Sequence, residues 1–87
     1  MEVTKDEKNY LELLIKEDIG FGNKIVGELL KSKKVELATA MIDHPLKGNI
    51  VLKIKAENPK KELIDAIKSI KDELKKLGAE LEGKKGK

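Results

Sequence analysis

The alternation of apolar and polar residues near the start of the chain predicts β-structure. Residues 9–16 alternate with a period of two, so that Leu11, Leu13 and Ile15 share one face. The opposite face takes Tyr10, Glu12, Leu14 and Lys16. Val3 predicts a shorter strand before this one, with residues 6–9 as the turn between them.

A short helix is predicted next, after Gly20 and Gly22 break the strand pattern, and it should end at about Ser32. Its apolar side chains recur at helical spacing: Phe21, Ile25, Val26, Leu29 and Leu30. At 100° per residue they span about 180° of arc, whereas about 100° covers one face of a core. One side of this helix can therefore pack on a sheet while another side remains for a partner.

A β-hairpin is predicted in the middle of the chain. Residues 35–43 and residues 50–56 both alternate with a period of two. Pro45 donates no backbone hydrogen bond and holds His44 extended, so strand pairing should end there. Lys47, Gly48 and Asn49 supply turn residues, which predicts a loop of about six residues.

The longest periodic segment follows Asn58 and Pro59, residue types suited to a helix N-cap and a first helical position. Apolar residues then keep a heptad spacing for about 18 residues, at Leu63, Ile67, Ile70, Leu74, Leu77 and Leu81. A 20-residue helix is about 30 Å long, whereas a six-residue strand is about 20 Å long. The stripe should therefore extend past the sheet, and its outer part predicts a contact with another protein. Gly78 lies within the stripe and predicts fraying or termination there.

The resulting order is strand, strand, helix, strand, strand, helix. This order predicts an α+β fold, a two-layer sandwich in which a mainly antiparallel sheet of about four strands carries both helices on one face. Residues 1–82 should form a single domain. Residues 83–87, Gly-Lys-Lys-Gly-Lys, are predicted to be a disordered basic tail.

Composition argues against several kinds of chemistry. The chain has no cysteine and one histidine, His44, so neither a disulfide framework nor a thiolate metal site is possible. No arrangement of serine, histidine and carboxylate indicates a nucleophilic site, and we expect no catalytic residue, no cofactor and no metal. No apolar stretch approaches the length of about 20 residues that spans a bilayer. The sequence therefore predicts a cytoplasmic protein without its own active site.

The net charge of +3 comes from the end of the chain. Without the three lysines of residues 84–87, sixteen lysines face sixteen acidic residues, and arginine is absent. Tyr10 and Phe21 are the only two aromatic residues. Because arginine and aromatic side chains usually read or stack on bases, this balance argues against sequence-specific nucleic-acid binding.

Two short strings at element boundaries resemble a known family. In the first, Asp18 to Asn23, the family usually has Asp-His-Thr-Leu-Gly-Asn; here Gly22 and Asn23 match, while Ile19, Gly20 and Phe21 replace His-Thr-Leu. The second is His44-Pro45-Leu46, which matches throughout. With the order and spacing of the elements, these strings resemble the small alpha-like subunits of multisubunit RNA polymerases. That family includes archaeal subunit L, the eleventh subunit of eukaryotic RNA polymerase II and the dimerising part of bacterial alpha.

The resemblance implies a noncatalytic role in transcription. A member of this family would form a heterodimer with the larger alpha-like subunit, called D in archaea, and the pair would be the platform on which the large catalytic subunits assemble. The enzyme activity, nucleotidyl transfer, would belong to the whole complex. The candidate partner interface comprises Phe21, Ile25, Val26, Leu29, Leu30, Ile67, Ile70, Leu74, Leu77 and Leu81. Gly22, Asn23, His44, Pro45 and Leu46 would be structural motif residues.

Two alternatives stay open on the sequence. Ile19 to Ile25 faintly resembles the Gly-X-X-Gly loop of a KH domain, with Gly20 and Asn23 at the two glycine positions. That alternative is a small nucleic-acid-binding module. The other is a free-standing homodimer or small enzyme, for which no residue pattern supplies catalytic chemistry.

Overall fold

The computed structural model describes residues 2–43 and 49–83. The predicted element order is confirmed. Six elements follow one another: β1 (Glu2–Glu7), β2 (Tyr10–Ile15), α1 (Ile19–Leu29), β3 (Val35–Ile42), β4 (Ile50–Ala56) and α2 (Pro59–Gly83).

The four strands form one antiparallel sheet in the order β1-β2-β4-β3. The central pair sets three apolar rows, in which Leu11 lies opposite Ile54, Leu13 opposite Leu52 and Ile15 opposite Ile50. All these side chains point to one face and are almost fully buried. The alternation of apolar residues in β2 and β4 thus becomes the floor of the core.

Both helices cover this face. α1 packs on β3 and against α2, while α2 lies over β4 and β2. Ile25 and Leu29 from α1 enter the core, as do Leu63, Ala66 and Ile70 from the first half of α2. The result is the predicted two-layer α+β sandwich.

The helix boundaries differ from the prediction in three places. α1 begins at Ile19, so Gly20 and Gly22 lie inside its first turns instead of preceding it, and it ends at Leu29 instead of about Ser32. α2 continues through Gly78 and ends at Gly83, so the glycine does not terminate the helix. Gly83, predicted as the first residue of the tail, therefore belongs to α2, and residues 84–87 lie outside the described residues.

β1 is the less covered edge of the sheet, and all six of its residues are exposed. A register irregularity falls between Val3 and Lys5. Lys60 at the start of α2 reaches Asp6, with 2.6 Å between Nζ and Oδ2. Charged residues and an irregularity are features that protect an edge strand from pairing with another chain.

Candidate partner interface

The N-terminus of α1 is capped by a side-chain carboxylate. Asp18 is the N-cap residue, and its Oδ1 accepts a hydrogen bond from the backbone N–H of Phe21 at 2.8 Å. A carboxylate here satisfies a free helix N–H group and complements the positive end of the helix dipole. Because it places a negative charge where a phosphate would bind, this turn is poorly suited to an anion.

Gly22 brings α1 close to the sheet. A Cβ at this position would lie 3.1 Å from the Cβ of Ala40 and 3.2 Å from side-chain carbons of Ile50. No left-handed backbone conformation is involved, so the need for glycine here comes from the close approach of helix and strand. Asn23, its neighbour in the motif, is exposed.

One ion pair joins the two helices, and a second lies within α1 and the turn after it. Lys24 of α1 forms an ion pair with Glu73 of α2, with 3.3 Å between Nζ and Oε2 and both side chains about half exposed. Within α1 and the turn after it, Lys31 Nζ donates to Glu28 Oε2 at 2.6 Å. This contact lowers the pKa of Glu28 and raises the pKa of Lys31.

The heptad stripe of α2 divides into a buried half and an exposed half. Leu63 and Ile70 are 6% and 5% exposed, and Ile67 packs against the same core. Past Ile70 no residue of α2 is buried. Leu74, Leu77 and Leu81 are 57%, 53% and 64% exposed, and we call these three residues the exposed seam.

The candidate residues on α1 divide in the same way. Ile25 and Leu29 are 0% and 1% exposed, so the structure places them in the chain's own core and not on its surface. Val26 is partly buried against that core. Phe21 in the first turns of α1 and Leu30 at its C-cap, at 37% and 56% exposed, present apolar surface. The excess apolar arc of α1 thus corresponds to two side chains near opposite ends of the helix.

Sequence reasoning missed three exposed apolar residues on the helix-bearing side of the sheet, of which Ile42 is 48% exposed and pairs with buried Ile50. Ile64 is 53% exposed and lies one position outside the heptad spacing of α2. Val3 is 52% exposed and pairs with buried Leu13, so it lies on the same face of the sheet. Two adjacent apolar residues at 63 and 64 could have indicated a second apolar direction on α2.

The opposite face of the sheet is mixed: Leu37 and Met41 of β3 are exposed there, and a polar network surrounds Glu12 of β2. Tyr10 Oη donates to Glu12 Oε1 at 2.8 Å, and Thr4 donates to the backbone carbonyl oxygen of Glu12 at 3.1 Å. The hydrogen bond lowers the pKa of Glu12 and raises the pKa of Tyr10. Lys53 lies opposite Glu12 on β4. The exposed apolar side chains of α2 therefore lie on the other side of the molecule from the hydrogen bonds around Glu12.

The second motif, His44-Pro45-Leu46, lies outside the described residues. The ends of the hairpin that contains it are defined. Asp43 donates its backbone N–H to the carbonyl oxygen of Asn49 at 3.0 Å, just past the last residue of β3 and before the first of β4. The predicted hairpin between residues 35 and 56 is confirmed by the antiparallel pairing of these strands.

Little chemistry of other kinds is found in residues 2–43 and 49–83. They contain no group of three or more histidine, cysteine or acidic side chains placed to hold a metal ion. None of their helices is long and apolar enough to cross a membrane. The stretch from Gly20 to Asn23, which resembles a KH loop, is helical and carries the Asp18 carboxylate at its start. The exposed surface of the two helices is therefore a candidate for apolar contacts with another protein.

Comparison with known proteins gives consistent results. A family model described as the RNA polymerase Rpb3/Rpb11 dimerisation domain matches residues 12–80. DNA-directed RNA polymerase subunit Rpo11 from Metallosphaera sedula is 45% identical over 73 residues, covering 79% of this chain and 81% of that protein. Rpo11 from Methanothermobacter thermautotrophicus is 36% identical over 73 residues, covering 83% and 86%.

A solved structure has the same fold. The crystal structure of DNA-directed RNA polymerase subunit L from Thermoplasma acidophilum matches 95% of this chain and 85% of its own, with a TM-score of 0.83. Sequence identity is 23%, so this match speaks for the architecture alone.

Proposed function

The chain belongs to the RNA polymerase Rpb3/Rpb11 dimerisation-domain family, as its two sequence motifs predicted, and we propose that it is a noncatalytic subunit of an archaeal RNA polymerase. Its role is to pair with the larger alpha-like subunit of that enzyme. The pair then forms the platform on which the catalytic subunits assemble in the cytoplasm. Nucleotidyl transfer belongs to the assembled enzyme.

The observation that carries this proposal is the exposed seam of Leu74, Leu77 and Leu81. Three leucines at heptad spacing, each more than half exposed, are typical of a helix that packs against another helix. Phe21 and Leu30 add apolar surface on α1. In a chain of 87 residues with a small core, exposed apolar surface is unfavourable in water, and its burial against a permanent partner would stabilise the chain.

The relatives support the same role. The curated relatives that match this chain are named as DNA-directed RNA polymerase subunits, and the chain covers more than four fifths of the length of each of the two described above. The matching family is described as a dimerisation domain. Paired with the larger alpha-like subunit, the chain would use the seam, Phe21 and Leu30 as its dimerising surface, with Ile25, Leu29 and Ile70 supporting it from beneath.

Purification of the tagged chain from its host tests the proposal. We expect the larger alpha-like subunit to co-purify at equal stoichiometry, together with the large catalytic subunits. Coexpression of the chain with the larger alpha-like subunit alone should yield a one-to-one complex by analytical ultracentrifugation. Recovery of the chain as a homodimer, or with nucleic acid and without polymerase subunits, would contradict the proposal.

A further inference from the structure

The outer half of α2 lacks the contacts that hold the inner half in place. We call residues 71–83 the α2 extension. Every residue in it is exposed except Gly78, which is partly exposed. Glu73 joins its first turn to Lys24 of α1. Among the described residues, no ion pair is made by a residue beyond Glu73.

Gly78 divides the α2 extension into two parts. A helix that continues from a docked segment needs no new nucleus, so each further residue is gained or lost by its own propensity. Glycine lowers the equilibrium constant for adding its residue to the helix about five-fold relative to alanine, which corresponds to about 1 kcal/mol. A Cβ at position 78 would meet nothing within 4 Å, so no contact within the chain compensates.

Few residues remain after Gly78 to recover this loss. Residues 79–83 of α2 are Ala, Glu, Leu, Glu and Gly; the first four are good helix formers, but they are only four and the last residue is again a poor one. Leu81, the last residue of the exposed seam, lies in this stretch at 64% exposed. Leu74 and Leu77 precede the glycine and lie closer to the half of α2 that is packed on the core.

We infer that residues 78–83 fray in the free chain and become helical when the partner occupies the exposed seam. Leu74 and Leu77 are the preformed part of the surface, and Leu81 joins it by ordering on binding. Ordering lowers the affinity below that of a rigid helix, because its entropic cost is met at the moment of association. This inference rests on the proposed function, since it takes the alpha-like subunit as the partner.

Amide hydrogen exchange of the free, full-length chain tests the fraying by itself. We expect the amides of residues 80–83 to exchange within about ten-fold of unstructured rates, while those of residues 66–70 are strongly protected. Gly78→Ala should slow exchange at 80–83 by up to about five-fold, and by less the more completely the wild-type segment is frayed. Gly27→Ala is the matched control, since a Cβ at position 27 also meets nothing within 4 Å. It should leave exchange at 80–83 unchanged. Protection of residues 80–83 equal to that of 66–70 in the wild-type chain would overturn the inference.

Calorimetric titration with the alpha-like subunit of the same polymerase tests the coupling to binding. Gly78→Ala should tighten binding by up to about five-fold, because part of the ordering cost is removed in advance; the factor by which it slows exchange and the factor by which it tightens binding multiply to about five, since both come from one change in the helix–coil equilibrium. In a Leu81→Ala background the same substitution should bring no gain. Unchanged or weaker binding by Gly78→Ala would overturn the coupling and indicate a close partner contact at Gly78. Absence of any binding by the wild-type chain would contradict the proposed function as well, whereas the exchange result needs no partner.

Discussion

Gly22 lies so close to Ala40 that only one of these two residues can carry a methyl group. A Cβ at Gly22 would lie 3.1 Å from the Cβ of Ala40 and 3.2 Å from Cδ1 and Cγ2 of Ile50. Ile50 is 1% exposed, and Ala40 belongs to a strand paired with β4, so neither neighbour can withdraw freely. The absence of a side chain at Gly22 therefore allows α1 to pack closely on β3 and β4.

Two glycine-to-alanine substitutions in α1 should have opposite effects on the free energy of unfolding. Gly22→Ala gains helix propensity but overpacks the core by about 1–3 kcal/mol, so we expect a net loss of about 1 kcal/mol. Gly27→Ala meets no neighbour within 4 Å and should stabilise by about 0.5–1 kcal/mol. Denaturant unfolding followed by circular dichroism measures both. Equal stabilisation by the two substitutions would mean that α1 shifts away from the sheet without cost.

The two halves of the α2 stripe should respond differently to truncation. Ile70 is 5% exposed within the core, so Ile70→Ala should lower the free energy of unfolding of the isolated chain by about 2–5 kcal/mol. Leu77 is 53% exposed, and Leu77→Ala should change that free energy by no more than about 0.5 kcal/mol. A large loss for Leu77→Ala would show that the seam is already covered in the free chain, for example by a second copy.

The sequence predicted the elements well because their periods are local properties. Alternation in β2 and β4 identified Leu11, Leu13, Leu52 and Ile54, and the antiparallel register places these side chains in the core. In β3 the alternation left both faces partly apolar. Its helix-facing side carries Ala38 and Ala40, while larger Leu37 and Met41 are exposed on the other side. α1 packs closely on β3, and this packing requires small residues. It is a tertiary contact, which the alternation of residues along a strand does not predict.

The candidate interface was predicted less completely, for a related reason. A heptad spacing suits packing on the chain's own sheet as well as on a partner helix. Ile70 and Leu74 are adjacent members of one stripe, and the position at which the sheet ends decides that one is buried and the other exposed. On α1 the same limit made Ile25 and Leu29 interface candidates, whereas both are buried in the chain's own core.

The Tyr10–Glu12 hydrogen bond should make stability depend on pH in the acid range. It lowers the pKa of Glu12 below the unfolded value, which is about 4.3. The stabilisation is therefore complete above the unfolded pKa and is lost as pH falls through the folded pKa. Tyr10→Phe should raise the pKa of Glu12 in an NMR titration and weaken this pH dependence. Thr4→Val, which removes the longer 3.3 Å contact to the same carboxylate, should raise the pKa of Glu12 less. A pKa of Glu12 unaffected by Tyr10→Phe would contradict the bond in solution.

Binding to nucleic acid should be weak and should depend on the end of the chain. Apart from the lysines of residues 84–87, sixteen lysines are balanced by sixteen acidic residues, so few phosphates can be neutralised. We expect a dissociation constant no tighter than about 0.1 mM for single-stranded or duplex DNA at about 150 mM salt. Deletion of residues 84–87 should weaken binding further. Fluorescence anisotropy measures both forms, and sequence-selective binding tighter than about 1 μM would favour the KH-like alternative.

Charge introduced into the apolar surface of the helices should break the heterodimer without unfolding the chain. Leu74 and Leu30 are 57% and 56% exposed, so a glutamate at either position stays in water in the free chain but would be desolvated against a partner. Leu74→Glu or Leu30→Glu should weaken binding to the larger alpha-like subunit by at least about 2 kcal/mol, measured by titration with circular dichroism to confirm folding. Leu37→Glu is the matched control on the opposite face of the sheet, at 43% exposed, and should bind as the wild type does. If all three folded variants bind equally well, the dimer forms elsewhere; if Leu37→Glu alone is defective, the larger alpha-like subunit occupies the outer face of the sheet.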